Sequence, residues 1–455
     1  PAISSDRFGS SNATDDAGLR SSSEQGDVLA RDQQTDASAS SASSSASNPP
    51  AATADASSGD VPSSITTDRE GIAAASTAAT EVSEDATRPA PTATVDPVSE
   101  ASDKVDTSSA AAAPDEDAGL PPRDKPHHLR TIFVSLASYR DAQCPLTVEN
   151  MLRQAEFPGR IHLGINQQNG ADDVDCFNAL PNDLKVQLGG NIRMVRIKNT
   201  EALGPQSARY ICSTLYEDED YFMQIDSHMR FAPKWDTLQL TMWEDTCREH
   251  AHAQRKIIVS SYPVDHPNVS SSDFTQLQRT VTTAMCKIMF NPQGMIQPTS
   301  GILKIRPPNA VPRTLESPFI AAGYFFGPGR LVRDVPYDDD LPFLFHGEEA
   351  LYSVRLWAAG YRIYNPTSAI VSHFYIKQND ATAAKVPKRR LVWELGSYAA
   401  LNAQSTERVK RSLLLSAATG AGVKLAPSSE DVKRYYQHFK IDLEKKSAPN
   451  LCAFP

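Results

Sequence analysis

From residue 131 onward the chain alternates short apolar, β-rich runs with stretches of helical spacing, and two of the runs stop at a polar cluster. Thr131 to Ala137 opens into Ser138-Tyr-Arg-Asp141, and Tyr221 to Ile225 runs directly into Asp226-Ser227-His228. Between them, Cys144 to Ala155 has helical spacing, Arg160 to Ile165 and Asn191 to Ile197 read as strands, and Gly204 to Tyr216 has the proline start of a helix. Such alternation predicts an α/β fold with a mostly parallel sheet covered by helices on its faces. Ligands of open sheets of this kind sit beyond the carboxyl ends of the strands, which puts Ser138 to Asp141 and Asp226 to His228 on one rim. Further strands are expected at Lys256 to Ser261 and around Ile320 to Phe326. A helix is expected over Glu348 to Ala359, followed by a strand at Tyr361 to Tyr364 that returns towards Ser372-His373. Ser428 to Asp431 reads as a cap for a helical stripe of Val432, Tyr435, Tyr436 and Phe439.

Composition limits this reading to the second part of the chain. Residues 1–126 are runs of Ser, Ala, Thr, Asp and Pro with no aromatic residue after Phe8, so burial there cannot offset the entropy of ordering. They are expected to be disordered, a low-complexity stem or linker ahead of one large domain over residues 127–450. Of the 55 acidic residues 22 fall in this segment, but only 8 of the 45 Lys and Arg, so the net charge of −10 divides into −14 there and +4 beyond. A nearly neutral domain without a basic stripe suits a phosphate-bearing small substrate and argues against a nucleic-acid partner. The six cysteines are scattered, with no close pair of the kind zinc sites use.

The rim carries the residues with chemical potential. In Asp226-Ser227-His228 a carboxylate and an imidazole two residues apart at a strand end can face one divalent cation, or can simply cap the next element. Gly347-Glu348-Glu349 heads a helix, where two acids are favoured by the dipole and can point back into the rim. Adjacent helical residues point about 100° apart, so one of the two acids is expected on the rim and the other towards solvent or a base. His373 follows a strand-like run and reads either as a ligand or as a satisfied surface histidine. Lys385, Lys388, Arg389 and Arg390 form a solvated run or a closure over an anion.

Several separated segments agree on a family. Ile132 to Asp141 with Cys144-Pro145, Ala208-Arg209-Tyr210 with Cys212, Tyr221 to Phe231 with Trp235, Pro336-Tyr337 with Leu341-Pro342, and Phe345 to Glu349 with Arg355-Leu-Trp357 occur in an order that resembles the polypeptide α-N-acetylglucosaminyltransferases. That family contains the Skp1 hydroxyproline GlcNAc-transferase of social amoebae and the mucin-type enzymes of trypanosomes. The resemblance spans about residues 130–445 and implies a GT-A glycosyltransferase fold, a Rossmann-like nucleotide-sugar domain on a mixed, mostly parallel sheet. It also implies a UDP-GlcNAc donor, a divalent cation (Mn2+ or Mg2+), retention of the α configuration and a polypeptide hydroxyl acceptor, Ser/Thr in a mucin-like protein or hydroxyproline in a Skp1-like one. Asp226 and His228 match the metal-binding triplet, and His373 the late histidine of the more distant polypeptide GalNAc-transferases. Glu348 or Glu349 matches the active-site carboxylate, and Ser138, Tyr139, Arg140, Asp141 and Arg209 the donor-binding positions. Where those relatives carry Gly-Gly-Glu-Asn, the second glycine is replaced by His346 and the Asn by Glu349.

Alternatives within this reading are a GalNAc- or other hexosyltransferase on the same fold and a non-catalytic nucleotide- or glycan-binding protein. The Ser/Ala/Thr/Pro segment resembles the stem of a type II membrane enzyme. On that basis the expectation is a Golgi membrane protein with a lumenal catalytic domain and an anchor upstream of Pro1, the alternative being the cytoplasm. Asn12-Ala-Thr14 and Asn268-Val-Ser270 are then candidate glycosylation sites. The Pro-rich stretch from Pro292 to Pro318 has no counterpart in the family and is expected to be a surface insertion.

Overall fold

Alternating side chains along buried strands dictate the layering. In the computed structural model, which describes residues 120–265, 281–304, 314–375 and 396–452, β1 (Ile132–Tyr139) sends Ile132, Val134 and Leu136 into one apolar cluster and Phe133 into another. The elements that follow are α1 (Cys144–Gln154), β2 (Ile161–Asn169), α2 (Asn182–Leu188), β3 (Ile192–Lys198), α3 (Pro205–Ser213), β4 (Tyr221–Asp226), β5 (Met229–Phe231) and α4 (Trp235–Glu249). Beyond these come β6 (Ile257–Ser260), β7 (Val264–Asp265), β8 (Val281–Phe290), β9 (Ile296–Lys304), β10 (Tyr324–Pro328), α5 (Glu348–Ala358), β11 (Arg362–Tyr364), β12 (Val371–His373), α6 (Tyr398–Ser412) and α7 (Ser429–Phe439).

The central sheet has the order β11-β6-β10-β4-β1-β2-β3. Its pairings β1 with β2, β1 with β4, β2 with β3 and β6 with β11 are parallel, while β10 runs antiparallel to both β4 and β6. This is the mixed, mostly parallel α/β sheet the sequence predicts. One face packs on Val148, Met151, Trp235, Leu240 and Trp243 of α1 and α4, and the other on Tyr352 and Leu356 of α5. A smaller sheet, β5-β12-β7, lies in register with His373 opposite Met229. A third apolar cluster joins Leu351 and Val354 of α5 to Val409 of α6 and to Tyr435 and Phe439 of α7. As expected, Ser428 caps α7, its side chain accepting from the Asp431 N–H at 3.1 Å.

Three features differ from the sequence reading or refine it. Residues 120–126 precede the expected boundary but pack on the domain: Leu120 is buried, and the Lys125 ammonium meets Asp220 at 2.6 Å. The Pro-rich stretch is not simply a surface insertion, because residues 296–304 form β9 in an antiparallel hairpin with β8, and Met295 and Ile296 are core residues. Four of the scattered cysteines form disulfides, Cys144 with Cys176 and Cys286 with Cys452. Residues 1–119, with the candidate site at Asn12, lie outside the described residues, as do Asn268 and the Lys385 to Arg390 run. Among the described residues no helix is long and apolar enough to cross a membrane.

The second disulfide closes a loop 166 residues apart in sequence, fastening the chain end to the hairpin. Cross-linking removes unfolded-state entropy, so replacing Cys286 and Cys452 together with Ser is expected to lower stability by about 2–5 kcal/mol. Denaturant unfolding under non-reducing conditions checks this, and an unchanged midpoint would contradict it.

Candidate metal centre and active-site rim

Strand register builds the site. Ala137 of β1 pairs with Asp226, the last residue of β4, so β1 overhangs and the chain turns through Arg140 to bring Asp141 beside Ser227 and His228. The Ser227-His228 turn returns as β5, and pairing of β5 with β12 sets His373 next to Met229. The result is a group of Asp226, His228 and His373 whose ligand atoms all lie within 4.8 Å of one another. His373 Nε2 is 3.2 Å from Asp226 Oδ2, and the two imidazole rings are 4.5 Å apart at an angle of 64°.

Two members are held from outside the triad, His228 by Asp141 and Asp226 by Arg209. The Asp141 carboxylate takes the His228 Nδ1–H at 2.8 Å and the Ser227 hydroxyl at 2.6 Å. That bond leaves His228 Nε2 as the lone-pair donor, the usual arrangement of a ligating histidine backed by a carboxylate. Burial alone would raise the Asp141 carboxyl, but His228, Ser227 and the Gln143 N–H outweigh it and hold the group down at about 2. Burial likewise opposes ionisation of Asp226, yet His373, Arg209 and His228 together hold it well below the usual carboxylate range. Burial and the neighbouring His228 push His373 below its ordinary value, which favours the neutral, ligating imidazole. One carboxylate and two imidazoles are a donor set that suits a divalent first-row cation, so the residues present fit the expected ion.

Behind the triad lies a buried guanidinium. Arg209, on α3, donates from Nη1 to both Glu348 oxygens at 2.6 Å and from Nη2 to Asp226 Oδ1 at 3.2 Å. Burial would lower the Arg209 pKa, but the Glu348 and Asp226 carboxylates raise it above its ordinary value. Burial pushes Glu348 up and Arg209 pulls it back, and the two short contacts mark an ionised pair. Helix α5 is preceded by its cap residue Gly347, whose φ of +97° is open to glycine and where a Cβ would stand 2.7 Å from Met295.

Glu349 does not turn to solvent or to a base. Its carboxylate accepts from the Tyr262 hydroxyl at 2.6 Å and from the Ala322 N–H at 2.8 Å, and burial pushes it up to about 7 against those bonds. Both acids therefore face inward, because the chain ahead of β10 packs over the side of α5 that the helical wheel alone leaves open. The donor-binding candidates divide. Ser138 and Tyr139 end β1 on the rim, Asp141 backs His228, and Arg209 joins Asp226 to Glu348. Arg140 pairs with Asp173, with Nε 2.7 Å from Oδ2.

Reading the sequence missed Tyr262, Ala322, Gly323 and Tyr375. A Cβ at Gly323 would lie 2.6 Å from Asp226 Oδ2, and the Tyr375 ring centre is 4.3 Å from that of His373. None of the four belongs to a motif. The only signal was position, since Tyr262, Gly323 and Tyr375 each stand at or just beyond a strand end on the same rim.

Comparison with known proteins adds to this geometry. No curated protein matches the chain in sequence. Among solved structures, GalNAc-T7 with UDP, GalNAc and Mn2+ is 12% identical with a TM-score of 0.39, over 68% of this chain and 54% of that one. TarS 1–349 of S. aureus in complex with UDP-GlcNAc is 10% identical with a TM-score of 0.38, over 68% and 72%. The chain thus spans about half the length of the GalNAc-T7 chain. These likenesses are distant, and family membership rests on sequence: the model of the family described as Glycosyltransferase (GlcNAc) matches residues 131–185 and 178–445. That match takes in every residue of the rim and well over half of the chain, and the protein belongs to the GlcNAc glycosyltransferase family.

Proposed function

We propose that the protein transfers N-acetylglucosamine from UDP-GlcNAc to a hydroxyl of a polypeptide, Ser/Thr or hydroxyproline, with retention of configuration and with a divalent cation. The observation that carries this reading is the convergence of Asp226, His228 and His373 on one rim of a glycosyltransferase-family chain, backed by Arg209 and Glu348. A cation held by those three side chains would neutralise charge on the departing diphosphate. The remaining work belongs to the protein. Asp141 fixes the tautomer of His228 and the direction of its ring. Arg209 keeps Asp226 and Glu348 ionised side by side. Glu348 orients the sugar or the attacking hydroxyl, and attack from the face the leaving group departs from requires no covalent nucleophile.

Two disulfides support an oxidising compartment, since such bonds form and persist in secretory spaces. In keeping with these bonds we propose a catalytic domain that works in the Golgi lumen, on a Ser/Thr-rich acceptor in preference to a cytoplasmic hydroxyproline.

A donor panel tests the reaction. UDP release should be fastest with UDP-GlcNAc, slower with UDP-GalNAc, and abolished by EDTA and restored by Mn2+. Equal rates with EDTA present, or a preference for another donor, would count against this reading.

A further inference from the structure

We infer that Glu349 is a positioning residue for the cation site, acting through the Ala321-Ala322-Gly323 turn and touching neither substrate nor ion. The inference rests on the metal reading of Asp226, His228 and His373. The backbone of Ala322 is held by both of its peptide groups: its N–H donates to Glu349 Oε1 at 2.8 Å, and its carbonyl accepts from Gln224 Nε2 at 2.6 Å. The turn closes with the Tyr324 N–H on the Ala321 carbonyl at 3.1 Å, and the Gly323 carbonyl accepts from the Asp226 N–H at 3.2 Å.

Gly323 itself is the wall behind the metal-facing carboxylate. A Cβ there would stand 2.6 Å from Asp226 Oδ2, so the bare backbone sets how far that carboxylate can swing. Because β10 is antiparallel to β4, its first residue pairs Tyr324 with Ile225, which puts the turn at the same sheet end as Asp226. The second Glu349 oxygen is occupied by the Tyr262 hydroxyl at 2.6 Å. Both oxygens of the carboxyl thus accept from protein donors, and its influence on Asp226 passes through the Ala322-Gly323 backbone. Outer contacts of this kind orient a ligand and tune its affinity for the ion.

The chemistry separates positioning from direct action. Gln at 349 can accept from the Ala322 N–H through its carbonyl and donate to the Tyr262 oxygen through its amide, whereas Leu can do neither. In the full chain with UDP present, Glu349→Leu is expected to weaken Mn2+ affinity by about 10–100-fold and Glu349→Gln by no more than about threefold. Tyr262→Phe, which removes one bond and leaves the carboxyl in place, should fall between them and serves if the leucine variant does not fold. Hydrogen exchange of the Ala322 amide in metal-free protein gives a readout independent of the ion: faster in Glu349→Leu, protected in Glu349→Gln. A glutamine variant that loses Mn2+ as severely as the leucine variant while Ala322 stays protected would overturn the inference, because charge would then be acting directly. Unchanged Mn2+ binding in both Glu349→Leu and Tyr262→Phe would overturn it alone, whereas failure of the wild-type protein to bind Mn2+ would overturn the metal reading together with it.

Discussion

Asp226→Asn is expected to abolish sugar transfer while leaving the sheet folded. Asp226 ends β4, and its carboxylate faces His373 and Arg209 on the rim, away from the apolar layers formed by Tyr221, Met223 and Ile225. Removing the charge takes away the one anionic ligand of the triad, and leaving-group stabilisation goes with it. Arg209 keeps Glu348 as its partner, so the buried guanidinium is not stranded. A ligand that binds only the folded protein raises its melting temperature. With UDP present, Mn2+ should therefore stabilise the wild-type protein and have no effect on the variant. Metal-dependent UDP binding retained by Asp226→Asn would remove Asp226 from the site.

Glu348→Gln is expected to lower transfer to peptide by about 10²-fold or more with UDP binding retained, the pattern for loss of a positioned catalytic group. The amide keeps the shape of the side chain but not the charge that answers Arg209 at two contacts. A stability loss of about 1–3 kcal/mol should accompany the change, since a charge-assisted bond in a buried place is replaced by a neutral one. Glu349→Gln should cost markedly less activity, because its carbonyl can accept from the Ala322 N–H and its amide N–H can donate to the Tyr262 hydroxyl oxygen. Equal losses with UDP binding gone in both variants would mean that the pair supports the loop and that Glu348 has no catalytic part.

The rim was legible in the sequence where a buried strand ends in polar residues. Thr131 to Asp141 and Tyr221 to His228 show this directly, since short apolar, β-rich runs that alternate with helical segments read as inner strands and ligands collect at their carboxyl ends. His373 was legible through resemblance, but its place beside His228 depends on the pairing of β12 with β5, a long-range register that no local pattern encodes. Helix α4 escaped notice because it buries polar side chains, Asp236, Gln239 and Thr246, among its apolar ones. Asp236 can be buried there because it accepts from the Glu156 and Phe157 N–H groups and from Arg160, partners that lie some 80 residues away. The disulfides were hidden for the same reason, their cysteines being 32 and 166 residues apart. The orientation of Glu349 was misjudged because a helical wheel carries no information about the turn at Ala322 that covers it.

The most direct measurement is mass spectrometry of a Ser/Thr-rich peptide incubated with the protein, UDP-GlcNAc and Mn2+, with proton NMR of the product to read the anomeric configuration. The account predicts addition of one N-acetylhexosamine to a hydroxyl residue in α linkage, absent with Asp226→Asn and absent with EDTA. Transfer that persists without a divalent cation, a β-linked product, or UDP release with neither Ser/Thr nor hydroxyproline peptides modified would contradict it.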